Sequence, residues 1–248
     1  MPFQPAYPDS IEQRETRWFE DFIGSAPQSG IDAWELTFLG VGRSATAGSS
    51  IAESGNAMDT TSRAKGVVKL NTGTDAAGWT CLTSQAAAFL ASLVRADLRI
   101  RLNIGALDDG VDTFDVVAGF HDNLRGTTLN AVDGAWFRYI KTLNGDFWAC
   151  CTAASSNADP AAPTNFQETV TAVAPTVHSA RMQILRIIVE TGRVRFFIDG
   201  ALVATHTTVV PIDKTGVGLR IRKTAGTTSR FVQPDYVDLR LAENVEDR

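Results

Sequence analysis

Residues 193–207, RVRFFIDGALVATHT, set Asp199 and Gly200 between two runs of β-branched, aromatic and aliphatic side chains. An Asp-Gly pair flanked in this way is the sequence form of a two-residue type I′ hairpin, because both central residues take positive φ, which glycine and aspartate tolerate. Asp199 is therefore read as a residue that turns the chain, not one that does chemistry. With the turn fixed there, residue 198 pairs with 201, 196 with 203 and 194 with 205. Val194, Phe196, Ile198, Ala201, Val203 and Thr205 then share one buried face.

The same grammar extends outward in both directions. Short apolar or alternating runs such as GVVKLNTG, GWTCLT, DTFDVVAGFHDN, AWFRYIKTLNGDFWACCTA, FQETVTAV and GVGLRIRK recur between turn signals, a spacing that predicts a β sandwich or barrel. In DLRIRLNI, Leu98, Ile100, Leu102 and Ile104 alternate with Arg99, Arg101 and Asn103, so one face of that strand meets the core and the other water. Helical period is scarce, with residues 84–98 able to carry a turn or two before the strand at Leu98. Residues 1–30, with Pro2, Pro5 and Pro8 followed by RWFEDFIG, read as an N-terminal arm and lead-in, and residues 31–248 as a single domain of two packed sheets.

Composition narrows the function classes. Lys+Arg 23 against Asp+Glu 28 gives a formal net charge of −5 with no basic block, which argues against a nucleic-acid partner. No apolar run approaches the roughly 20 residues that span a bilayer, so no membrane partner is expected. The opening MPFQPAYPDSIEQRETRWFEDF has no basic start or apolar stretch of a secretory signal, and the expectation is synthesis in the cytoplasm. Cys81, Cys150 and Cys151 form neither a disulfide framework nor a CxxC metal motif and read as small apolar strand residues.

Few patterns carry chemistry. Glu35, Glu168 and Glu190 stand singly, and Asp235 and Asp238, three apart, are expected on opposite strand faces, so a glycosidase carboxylate pair is not predicted and no catalytic residue is assigned. His121, His178 and His206 have no i, i+2 or i, i+4 partner and read as surface or loop histidines. In LDDGVDTFD, Asp108, Asp109 and Asp112, with Asp115, make the best candidates for Ca2+, although the EF-hand order is missing and a solvated turn is the simpler reading; no cofactor is assigned. Trp136, Tyr139, Trp148 and Trp79, with Arg138, Asn144, Asp146 and Asn123 close in sequence, are the candidate aromatic and planar polar groups for a sugar platform, although in AWFRYI Trp136 and Tyr139 face opposite ways, so at least one aromatic set must be core.

The late hairpins in MQILRIIVETGRVRFFIDGALVATHT and the closing GVGLRIRKTAGTTSRFVQPDYVDLRL resemble those of concanavalin A-like jelly rolls, over roughly residues 64–242. The resemblance implies an all-β, two-sheet antiparallel jelly-roll sandwich behind an extended N-terminal arm. That superfamily includes lectins, glycan hydrolases, laminin-G-like modules and bacteriophage virion proteins, and fold does not choose among them. The Pro-rich arm and phrases such as VVAGFHDN and DGAWFRYI look like those of phage head or tail accessory proteins. The expectation is a non-enzymatic virion protein that decorates a capsid or tail. Its partners would be the major capsid protein or tail proteins, with Trp18, Phe19 and Phe22 as anchors in a homo-oligomer, a trimer being the simplest. The alternative is a lectin-like glycan-binding module for host-surface recognition, using the Trp136, Tyr139 and Trp148 platform and calcium at the Asp108–Asp112 loop.

Overall fold

The computed structural model of the protein describes residues 15–20, 38–43, 50–53, 67–74, 76–84, 94–122, 131–156, 164–178 and 181–243. In chain order the strands are β1 (Glu15–Glu20), β2 (Phe38–Arg43), β3 (Ser50–Glu53), β4 (Val68–Asn71), β5 (Trp79–Ser84), β6 (Val94–Ile104), β7 (Phe114–His121) and β8 (Gly134–Ile140). A single helical turn, α1 (Lys141–Asn144), follows, then β9 (Ala149–Ala153), β10 (Phe166–Val170), β11 (Gln183–Glu190), β12 (Arg193–Ile198), β13 (Ala201–His206), β14 (Gly216–Lys223) and β15 (Phe231–Glu243). Phe22 and Glu35 lie outside the described residues, as do residues 85–93, so the expected helical turn is not described; strand β6 begins at Val94, ahead of Leu98.

The strands form two antiparallel sheets, as the sequence predicts. The eight-stranded sheet runs β13-β12-β11-β6-β15-β4-β3 with β1 also paired to β15, and the seven-stranded sheet runs β10-β9-β8-β7-β14-β5-β2. Strand β1 runs along β15 with Trp18 opposite Leu239 and Phe19 opposite Asp238.

Alternation along the strands builds the core between the sheets. From β6 come Leu98, Ile100, Leu102 and Ile104, from β12 Val194, Phe196 and Ile198, and from the opposite sheet Phe114, Phe120, Phe137 and Trp148. Phe137 and Phe196 meet edge to face across the layer, with ring centroids 5.4 Å apart. A second buried cluster, Val117, Ala131, Trp136, Ala149, Cys151 and Ala153, lies on the other side of the seven-stranded sheet, so β8 is buried on both faces.

The Asp199–Gly200 turn has φ of 49° and 85°, the left-handed pair that the sequence demands. Beyond the turn the predicted register is corrected. Ile198 pairs with Ala201 and Phe197 with Leu202, but Phe196 pairs with Ala204 and Val194 with His206, because a β-bulge at Val203 adds one residue to β13. The bulge turns Ala204 and His206 into the core in place of Thr205, leaves Val203 half-buried against it, and keeps Leu202 56% exposed. A bulge between Pro234 and Tyr236 likewise overturns the expected separation of Asp235 and Asp238; both carboxylates meet arginines of the eight-stranded sheet's outer face.

Asp199 also ties the hairpin to its neighbour: Oδ1 accepts from the Ile184 amide at 2.9 Å and Oδ2 from Arg181 at 3.1 Å. Asp199→Ala loses these bonds and puts a Cβ without local compensation at positive φ. It is expected to cost about 1 to 2 kcal/mol in urea unfolding, with Asp199→Gly costing less because glycine removes the backbone component.

Candidate functional site

The outer face of the seven-stranded sheet concentrates the polar side chains that the sequence scatters. One row across it reads Cys81, Arg220, Val117, Arg138, Ala149 and Val170, and the next reads Trp136, Cys151 and Glu168. Asp115 binds Arg220 at 3.3 Å and Arg222 at 2.6 Å, with Asp115 and Arg220 both fully buried. This ion-pair group is a feature of the framework.

At the β10 edge the face opens. Helix α1 ends at Gly145, whose φ of 63° reverses the chain while its amide donates to Lys141 O at 2.9 Å. Consecutive residues then part company. Trp148 turns inward and donates from Nε1 to Gln183 Oε1 at 2.8 Å, whereas Phe147 is 40% exposed and lies beside Gly145. Asn144, buried in the turn, donates to Glu168 Oε1 at 2.6 Å, and Arg138 donates to the same oxygen at 2.7 Å. Asn144 Oδ1 has no hydrogen-bond partner among the described residues. Leu143, in α1, and Val170, two residues from Glu168 on β10, are apolar and 56% and 48% exposed.

The predicted platform is corrected by burial. Trp136, Tyr139 and Trp148 have no exposed surface: Trp148 and Tyr139 pack in the inter-sheet core, and Trp136 packs in the second cluster against Phe166. Burial also pushes the Tyr139 hydroxyl up to about 12, and that oxygen accepts from the Asp108 amide at 3.1 Å. None of these rings is placed to stack on a sugar. Arg138 and Asn144 are placed together as the sequence nominated them, but their exposed aromatic is Phe147.

The acidic loop is a self-bonded turn. Asp108 accepts from the amides of Gly110 and Phe114. Asp109 accepts from Val111 and Asp112 and meets Arg230 at 2.5 Å, and these bonds hold its carboxyl down at about 2. Asp112 accepts from Thr228. Their oxygens are thus committed to amides and Arg230, and among the described residues no group of three His, Cys, Asp or Glu is placed to hold a metal ion. Asp115 belongs to the arginine pair described above.

Two histidines expected at the surface are buried. His206 bridges the sheets, with Nδ1 2.9 Å from Thr152 Oγ1 and Nε2 3.0 Å from Thr169 Oγ1, and desolvation lowers it to about 4. His121 packs on Trp136 with ring centroids 5.3 Å apart, and burial holds it well below the usual histidine range. The three cysteines are buried and free, and burial raises the thiols of Cys150 and Cys151.

Among the described residues, carboxylate spacing on this face does not suit glycoside hydrolysis. Asp115 and Glu168 stand three strands apart, about 14 Å at normal strand spacing, well beyond the roughly 5 to 9.5 Å of retaining or inverting pairs. A second acidic pair, Asp122 and Asp133, sits where β7 and β8 meet, but Asp133 accepts there from the Ser155, Ile212 and Asp213 amides and so pins two loops.

The fold defines the class: a concanavalin A-like jelly-roll sandwich. Within it the chain belongs to the SO2946-like, C-terminal domain family, which matches residues 63–235. Among solved structures it is similar to the protein of unknown function SO2946 from Shewanella oneidensis MR-1, with TM-score 0.59 and 12% identity over 96% of this chain and 91% of that one. A prokaryotic β-1,3-1,4-glucanase (lichenase) derived from a mouse hindgut metagenome has TM-score 0.53 and 11% identity over 90% and 98% of the two chains. The Ca2+/Man3GlcNAc-bound exoplasmic/lumenal domain of VIP36 has TM-score 0.50 and 10% identity over 75% and 81%. At these identities the likeness is one of fold. Comparison with curated protein sequences finds no match.

Proposed function

We propose that this domain is a non-catalytic glycan-binding module whose contact site is the corner made by α1, the turn through Phe147 and edge strand β10. The observation that carries the reading is Glu168, held by Arg138 and Asn144, with the exposed Phe147 against Gly145 at the end of the same turn. A pyranose offers an apolar C–H face and a fan of hydroxyls. An aromatic ring takes the first, and fixed planar groups with spare hydrogen-bonding capacity take the second. Because Arg138 and Asn144 order the carboxylate before any ligand arrives, little side-chain entropy is lost on binding. The glycan-related activities named for neighbours of the same fold, a glucanase and a Man3GlcNAc-bound domain, support the class of ligand. The setting we infer is the one the sequence resemblance implies, a bacteriophage particle, where such a module would meet host-surface glycans.

A glycan array followed by calorimetry on the best ligand tests the site. Phe147→Ala and Glu168→Gln are each expected to weaken binding about tenfold or more, near 1.4 kcal/mol, without changing the thermal midpoint by more than a few degrees. An array blank with and without added calcium overturns the reading, and so does a bound sugar whose affinity neither variant changes.

A further inference from the structure

We propose that the outward face of the eight-stranded sheet is a separate binding surface for an acidic polysaccharide. Strand β6 sends alternate side chains outward, and three of them are Arg95, Arg99 and Arg101. On one flank β11 and β12 add Arg186, Arg193 and Arg195. On the other, β15 and β1 add Arg240 and Arg17, which are opposite each other in register. Among the described side chains these eight arginines share four carboxylates. Glu190 serves Arg95, Arg193 and Arg195; Asp97 serves Arg99 and Arg186. Asp238 serves Arg17 and Arg240, and Asp235 serves Arg101. The described side chains of this face therefore carry a surplus of positive charge in a chain whose formal net charge is −5.

The arginines reach water. Side-chain exposure is 50% at Arg95, 44% at Arg101 and 53% at Arg193. At normal strand spacing the band covers five strands, about 20 Å across, with outward positions repeating about every 6.8 Å along β6. That is the form of a flat track for an extended polymer carrying spaced anions. The charge is carried by guanidinium, whose planar fork grips carboxylate or sulfate through paired N–H donors, whereas an ammonium acts as a point charge. Phe197 lies under Arg186 and Arg195, at 5.4 and 5.9 Å from its ring centroid, and stiffens the two guanidinium groups.

Charge complementarity selects among polyanions. Duplex nucleic acid carries a charge every 1.7 Å or so, and four interleaved carboxylates would repel that continuous backbone. A protein partner would call for an apolar centre depleted in charge, and this face has charge at its centre. An acidic polysaccharide, with one anion per sugar or per few sugars, lets guanidinium groups engage while the carboxylates lie between anions. This surface is on the opposite sheet from the Phe147 corner, and the inference does not rest on that site.

The test uses the full chain with dextran sulfate and polygalacturonate as probes, neutral dextran and duplex DNA as comparators, and surface binding read at several salt concentrations. The expected result is binding to the two acidic polysaccharides that falls steeply with salt, none to neutral dextran and weaker binding to DNA. Arg95→Ala/Arg101→Ala/Arg193→Ala should lose at least about tenfold while Lys214→Ala, an exposed cation away from the face, binds as the parent does. Arg101→Glu alone, expected to weaken binding severalfold, serves if the triple variant unfolds. Absence of binding at low salt, unchanged binding by these arginine variants, or DNA binding as tight as that of the polysaccharides overturns the proposal.

Discussion

Asp115→Ala is expected to remove about 3 to 5 kcal/mol of unfolding free energy, seen as a lower urea midpoint with little change in slope. Asp115 sits in β7 directly opposite Arg222 of β14, with Arg220 two positions along, and both guanidinium groups donate to its carboxylate. The side chains of Asp115 and Arg220 have no solvent exposure. Burial pulls Arg220 below the usual arginine range although Asp115 pulls the other way, so the group is already held at a cost. Deleting the carboxylate leaves a guanidinium in a dry setting with its main counter-charge gone. Asp115→Asn keeps the shape and one acceptor and should lose less. Asp115→Leu combined with Arg220→Met removes both ends of the pair and should recover part of the loss, giving a coupling energy of about 2 kcal/mol or more in a double-mutant cycle. A single-variant cost below about 1 kcal/mol, or strict additivity in the cycle, would show that the pair is no structural centre.

The sequence made the turn at Asp199–Gly200 and the amphipathic strand β6 legible because both depend on local rules: positive φ at two residues, and alternation over four pairs. The inward turn of His206 was hidden because a one-residue bulge reverses every face beyond it, and nothing in ALVATHT marks Val203 as the extra residue. The burial of Trp136 escapes local pattern for another reason. Alternation says only that Trp136 and Phe137 face opposite ways; here both directions are buried, since the outer face of the seven-stranded sheet carries its own apolar cluster. At the corner site, Asn144 and Arg138 could be nominated because they lie near tryptophans in sequence. Glu168, which unites them, comes from a strand whose pairing with β9 is set by the sheet and not by any local signal. Phe147 was overlooked beside the larger Trp148, although the one-residue offset that buries one ring is what exposes the other.

Acid is expected to destabilise the domain well above the pH at which carboxylates titrate, and the buried histidines His206 and His121 are the cause. The imidazole is wholly buried between Thr152 and Thr169 with the Phe196 ring 5.2 Å away, and desolvation lowers it from 6.5 to about 4. When the chain unfolds between those two values, the freed histidine takes up a proton that the folded one refuses. The stability held by the neutral ring is therefore complete above about pH 6.5 and drains away as the pH falls toward 4, with about 2 kcal/mol lost by pH 5. His121, also held well below the usual range by burial, adds a second loss of the same sign. Asp97, Asp109, Asp112 and Glu190, all lowered, give up their contribution only as the pH falls through and below the ordinary carboxylate range. Urea unfolding from pH 7.5 to 5 reads the histidines, with Asp122, raised by burial, working in the opposite direction. His206→Gln, whose amide can still meet the threonine hydroxyls, should reduce stability at pH 7.5 yet flatten the decline toward pH 5 by about half. A decline as steep as that of the parent would mean that His206 is protonated in the folded state, and that the two threonines hold an imidazolium instead of the neutral ring.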